Sequence, residues 1–249
     1  MENRQSDDVK LEGKEISLSD GSLKSKRLGN IWYHHKWTII IVAFFLSVFI
    51  IVGIQLITRV EYDANVTISG PDFIKNDRYY YLADDLSKKL TDDVNRDGKR
   101  VVSITSYPVF SENELYDINH SEKDSSGNYI KIVEQSENLS EYKNFLQHTQ
   151  TSDSYILILS RYVYEPLKSA NPSRLVSISD IFGTSLPEGT LEDGYGIKLS
   201  ETALYRDSTE LKSFADEYVI CMLKLPDMAS KKQTKAYNAS LEYFKNLVG

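Results

Sequence analysis

Residues 152–183 read SDSYILILSRYVYEPLKSANPSRLVSISDIFG. Tyr155–Leu159 within it is apolar without alternation, the pattern of a strand buried on both faces. Tyr162–Ser169 then has helical spacing, and Leu175–Phe182 follows as the next apolar piece. A buried strand passing straight into helical text is the signature of a sheet covered by helices.

The same alternation of elements extends in both directions. Upstream, Ala64, Val66 and Ile68 alternate with polar residues until Gly70-Pro71, which predicts a strand. Asn76 or Asp77 would cap a helix bearing Tyr79, Leu82, Ala83, Leu86 and Leu90, and Asp97-Gly98 would stop the chain before a second strand at Val101–Ile104. Residues 120–138 read as a loop or hairpin tip with a weak strand at Tyr129–Val133. Leu139, Tyr142, Phe145 and Leu146 then mark a helix. Downstream, Gly194–Leu199 reads as a strand, 209–216 as helical, Tyr218–Leu225 as an apolar strand and Lys235–Val248 as a closing amphipathic helix. The expectation is an α/β domain with a mixed sheet over residues 59–249.

Ahead of that domain, Trp37–Ile57 is WTIIIVAFFLSVFIIVGIQLI, 21 residues without a charge. As a helix it would be roughly 30 Å long, the thickness of a bilayer core. Lys24, Lys26, Arg27 and Lys36 precede it, whereas Arg59, Glu61 and Asp63 follow. The positive-inside rule therefore puts the N-terminus in the cytoplasm, with Trp32, Tyr33 and Trp37 as interfacial anchors. A cleavable signal peptide would need a shorter leader, a shorter apolar run and small residues before the cut. The expected plan is a mostly disordered cytoplasmic tail over 1–36, a signal-anchor helix over 37–58 and an extracytoplasmic domain over 59–249.

Of the 29 bases and 36 acids, seven and six lie in residues 1–36, which leaves 22 and 30 beyond, a net charge of −8. That balance argues against nucleic acid as a partner. The one cysteine, Cys221, sits in the apolar run VICMLKL, which excludes an intrachain disulfide and points to an inert buried thiol. An exported domain without disulfides suits a bacterium with a single membrane.

Few residues suggest chemistry. Asp93, Asn95, Asp97 and Gly98 spell D-x-N-x-D-G, the first half of a calcium loop, but Ile104 stands where the bidentate carboxylate belongs. Ordinary turn chemistry explains the same letters and is the expected reading, with a Ca²⁺ site as the alternative. His34 and His35 precede the apolar segment, and His120 and His148 are scattered, with no metal-ligand spacing. His148 is expected to be solvated or capping. There is no G-x-S-x-G, Walker or G-x-G-x-x-G pattern, and an enzyme is not expected. The 17 tyrosines, Tyr79–Tyr81, Tyr162 and Tyr164 among them, would suit a sugar or peptide if they line a cleft, and core packing if they do not.

The stretch at 152–183, with its buried strand, short helix and L-V-x-I-x-D-I passage, resembles extracytoplasmic solute-binding proteins of the type II periplasmic-binding-protein fold. GYGIKLSETALYRD, residues 194–207, is similar to the strand and loop that follow in those proteins, where the chain passes between lobes. The plan of a WYHHKW-type anchor ahead of an α/β domain resembles anchored proteins of Firmicutes, Clostridia especially. The resemblance implies a membrane-tethered, solute-receptor-like binding module beside a transporter or envelope complex, taking a small solute or sugar. Residues 59–249 are short for two full lobes, so the second lobe is expected to be reduced. The resemblance also puts the interlobe edge, and with it the contact surface, at Tyr162, Tyr164, Gly194, Tyr195 and Gly196. The alternative is an envelope assembly protein that uses the same scaffold without a ligand.

Overall fold

The computed structural model describes residues 20–58, 61–72, 76–121, 123, 132–151, 154–214 and 217–249. The chain forms two compact units, 1–60 and 61–249. In the first, a single helix, α1, runs from Asp20 to Thr58. Residues 20–30 are therefore helical, where a disordered tail was expected; residues 1–19 lie outside the described part. Trp32–Leu56 within α1 contains an 18-residue window with a mean hydropathy of 2.9 and is long and apolar enough to cross a membrane. Its large side chains are exposed, which is compatible with a transmembrane or signal-anchor helix.

The second unit is α/β. Its five strands are β1 (Ala64–Gly70), β2 (Val102–Pro108), β3 (Ile156–Ser160), β4 (Gly196–Lys198) and β5 (Tyr218–Met222), in the order β2-β1-β3-β5-β4. β1 pairs in parallel with β2 and β3, while β5 runs antiparallel between β3 and β4. The sheet is mixed, as the sequence predicts. Every residue of β3 and β5 is buried, which is why both read as unbroken apolar runs.

The helices are α2 (Asn76–Lys88), α3 (Glu112–His120), α4 (Gln135–Thr151), α5 (Arg161–Ala170), α6 (Ile178–Phe182), α7 (Ala203–Asp207) and α8 (Lys231–Val248). Strand alternation sorts them onto two faces. Val66 and Ile68 of β1 point to the side of α2 and α8, where the Tyr243 hydroxyl donates to the Leu86 carbonyl at 2.8 Å. Thr67 points to the side of α4, where it meets His148. Phe145, Tyr164, Tyr243 and Phe244 fill the space between sheet and helices.

Several expectations need adjusting. α3 was not anticipated, although Ser111 and Glu114 form a capping box at its start, a signal that was legible. Around residues 203–213 the helical turns are α7 and a 3₁₀ turn at Leu211–Ser213, in place of one helix over 209–216; residues 215 and 216 lie outside the described part. Leu175 pairs with Leu223 as an isolated bridge, so that helix starts only at Ile178. The strand expected at Tyr129–Val133 falls largely outside the described residues, and Ile132 and Val133 are not in a strand.

Candidate functional site

In the order β2-β1-β3-β5-β4 the chain leaves β1 toward β2 on one side, crosses back over β1 to β3, and leaves β3 toward β4 and β5 on the other side. At such a switch point the two connections part, and a crevice opens beyond the carboxyl ends of the strands. Here it opens beyond Gly70 of β1 and Ser160 of β3. Its volume is about 600 Å³, and its lining includes Pro71, Ser160, Arg161, Tyr162, Glu217 and Tyr218. β5 begins at the same end because it is antiparallel, which is how Glu217 and Tyr218 arrive there. The chains approach closely at its floor. A Cβ on Gly70 would collide with the Tyr218 hydroxyl and lie 2.9 Å from the Ser160 Cβ, so only glycine fits.

A second hollow of about 510 Å³ shares Tyr162 and Pro166 with the first. Its walls are mainly apolar: Val109 and Phe110 after β2, Leu115 of α3, and Leu139 and Tyr142 of α4. The Asn138 side chain holds this corner together, accepting from the Phe110 amide and donating to the Phe110 carbonyl, both at 2.9 Å. Polar crevice and apolar hollow form adjoining parts of one surface, separated by the exposed ring of Tyr162.

Ser160 is the N-cap residue of α5, yet its side chain makes no capping bond. Its hydroxyl is buried and has no hydrogen-bond partner among the described residues. The Arg161 amide donates to the Glu217 carbonyl at 2.9 Å. Helix geometry leaves the next amides, of Tyr162 and Val163, without intrahelical acceptors. Among the side chains, Arg161 pairs with Glu165 at 3.0 Å. Glu114 is engaged by the Ser111 amide at 2.7 Å.

The residues expected to share a contact surface do not share one. Tyr162 and Tyr164 are two apart on α5 and so point in nearly opposite directions. Tyr162 is 47% exposed, whereas Tyr164 is fully buried. The Tyr164 hydroxyl donates to the Asp193 carboxylate at 3.0 Å, and Lys168 binds the same carboxylate at 2.9 Å. Burial pushes the Tyr164 phenol up. For Asp193, burial raises the carboxyl pKa, but bonds from the Tyr195 amide, Lys168 and Tyr164 outweigh it and hold the group below its ordinary value. Gly194 and Tyr195 belong to the turn around Asp193, where the Gly194 carbonyl accepts from the Ile178 amide. Gly196 is buried in β4, and a Cβ there would run into Val219. Tyr164, Gly194, Tyr195 and Gly196 are thus packing and turn residues, and Tyr162 alone lines the crevice.

In the 93–98 segment the side-chain oxygens face backbone amides. Asp93 accepts from Arg96, Asp97 and Gly98, Asn95 accepts from Asp97, and Asp97 accepts from Lys99. This is the bonding of a turn. Asp63, which sequence reasoning passed over, anchors the segment from below. Cys221 is fully buried in β5, and burial pushes its thiol up, so it is not a reactive group.

His148 departs from expectation. It is half-buried on α4, its Nε2 lies 3.0 Å from the Thr67 hydroxyl, and its ring packs beside Tyr107. Thr67 donates to Ser154 at 2.8 Å, and Ser154 donates to the Asn65 carbonyl at 3.2 Å. With the Thr67 proton directed to Ser154, the Thr67 oxygen is left to accept from His148 Nε2. Burial lowers the His148 pKa below its ordinary value. The unfolded chain therefore binds the proton more readily, and this contribution to stability is complete above about pH 6.5 and is lost as pH falls through the lowered folded value. Thermal melting of residues 61–249 should show a falling midpoint as pH drops from 7.5 to 5.5. His148→Gln should flatten that slope; an equal slope in the variant would assign it to other groups.

No family model matches the chain, and neither does any curated protein or any solved structure.

Proposed function

We propose that the protein is a membrane-tethered binding module whose α/β domain captures a ligand on the outer side of the membrane, in the manner of a solute receptor, beside a transporter or envelope complex. The observation that carries this reading is the crevice at the β1/β3 switch point, with an unsatisfied hydroxyl on its floor and an apolar hollow alongside. Buried polar groups are nearly always paired, and open α/β sheets bind their ligands beyond the carboxyl ends of the strands at such a switch point. The apolar helix Trp32–Leu56, with Lys24, Lys26, Arg27 and Lys36 on its N-terminal side, supports a single span with the N-terminus in the cytoplasm. The domain would act as one lobe built on one sheet. Tethering raises its local concentration at a membrane partner, so modest affinity suffices.

The experiment has two arms. Protease added to intact protoplasts should digest residues 61–249 and spare an N-terminal tag; the reverse pattern overturns the orientation. A thermal-shift panel of sugars, amino acids and short peptides on the full chain in detergent should yield a ligand whose effect is weakened about tenfold or more by Tyr162→Ala. A panel without such a ligand would favour the assembly reading. The exposed apolar wall of Leu139 and Tyr162 also fits that alternative, as a protein-docking surface.

A further inference from the structure

The crevice has a definite chemical polarity. Its floor offers hydrogen-bond donors: the hydroxyl of Ser160, a residue 6% exposed whose side chain has no partner among the described residues, and the start of α5, where helix geometry leaves the Tyr162 and Val163 amides without intrahelical acceptors. Hydroxyl and amides at a helix start favour an acceptor with negative charge. The rim has the opposite character. Among the described residues Glu114, Glu165 and Glu217 line it with Arg161 as the one basic residue; Glu165 is paired with both Arg161 and Lys168, which leaves Glu114 and Glu217 to face an anion such as phosphate with negative charge. Arg161 is already paired with Glu165, and among the described residues no lysine lines the crevice. Beyond Tyr162 and Pro166 the lining turns apolar, in a hollow large enough for an aliphatic or aromatic side chain.

Donor floor, acidic rim and apolar annex together describe one kind of molecule. We infer that the crevice binds a free α-amino acid with an apolar side chain. Its carboxylate sits on Ser160 and the α5 amides, its ammonium faces the glutamates, and its side chain passes Tyr162 into the hollow. The net charge of such a ligand is zero, which a rim with excess carboxylates tolerates and a bare anion does not. This inference rests on the capture reading above and adds the ligand class. It also accounts for a hydroxyl left unpaired at the N-cap, where serine normally bonds a helix amide. A group kept unsatisfied in the fold is available to a ligand.

The test is isothermal titration of the full chain in detergent micelles with L-phenylalanine and L-leucine. Both should bind. N-acetyl-L-phenylalanine, without the ammonium, and phenethylamine, without the carboxylate, should each bind about tenfold or more weakly, since each loses one charge-assisted contact. Ser160→Ala should weaken L-phenylalanine by about fivefold or more while leaving the melting temperature unchanged or raised, because that hydroxyl has no bond in the fold to lose. A purely structural serine would give the reverse, lower melting with unchanged affinity, and that result overturns the inference. So would orthophosphate or benzoate binding as tightly as L-phenylalanine. A sugar that binds in a Tyr162-dependent way, with no amino acid binding, overturns the ligand class and leaves tethered capture standing. No ligand of any class overturns both.

Discussion

Tyr164→Ala is expected to destabilise the α/β domain by about 3–5 kcal/mol, whereas Tyr162→Ala should change its stability by no more than about 0.5 kcal/mol. The two tyrosines belong to the same turn-and-a-half of α5 and have the same chemistry, so the difference arises from direction alone. Tyr164 is fully enclosed and packs near β4 and β5. Truncating it opens a cavity and removes the hydroxyl from Asp193, leaving that carboxylate to Lys168 and the Tyr195 amide. Tyr164→Phe separates the two contributions: it keeps the ring and should cost about 1–2 kcal/mol for the lost bond to a charged acceptor. Against a total domain stability of about 5–15 kcal/mol, the alanine variant should show a much lower urea midpoint. Equal midpoints for Tyr162→Ala and Tyr164→Ala would contradict the orientation of α5.

Asp63→Ala should be nearly as damaging, at roughly 3 kcal/mol, although the residue lies ahead of the first strand and looks like a linker in the sequence. The side chain is 7% exposed. One carboxylate oxygen accepts from the amides of Val94 and Asn95 at 2.8 and 3.2 Å, and the other from Val101 at 2.9 Å. The Asp63 amide in turn donates to the Val101 carbonyl at 2.9 Å. Removing the carboxylate strands three donors at once and frees the 93–101 turn that sets the start of β2. Water can reach part of that turn, which keeps the loss below the sum of three fully buried orphans. Asp63→Asn, which keeps one acceptor oxygen, should fall between wild type and alanine in a urea titration of residues 61–249. A neutral effect for alanine would mean that the turn holds itself through Asp93 and Asn95.

The Asp63 case shows where sequence reading stops. An acid that accepts from amides about 30 residues away leaves no periodic trace, and the D-x-N-x-D-G segment drew attention because its partners are local. The same contrast separates Ser111 from Ser160. Ser111 caps α3 through Glu114 three residues on, a spacing legible in the letters. Ser160 is set apart by an absence, the missing capping bond, which has no sequence signature at all.

What the sequence determined by itself is what depends on short range. The charge-free run around Trp37–Ile57 needs no partner to be read as a helix long and apolar enough to cross a membrane, because length and hydropathy are properties of the run itself. The unbroken apolarity of Tyr155–Leu159 and Tyr218–Leu223 announced buried strands, and the interleaved helical spacing announced a mixed α/β sheet, because burial on two faces leaves no place for polar residues. Tertiary structure alone decided the order β2-β1-β3-β5-β4, and through it the place of the crevice. It also decided that Tyr162 faces outward while Tyr164 is enclosed, and that His148 of α4 reaches the Thr67 hydroxyl of β1. Strand order and side-chain surroundings are set by contacts between residues many positions apart, and local composition carries no record of which distant segment will supply the other half of a contact.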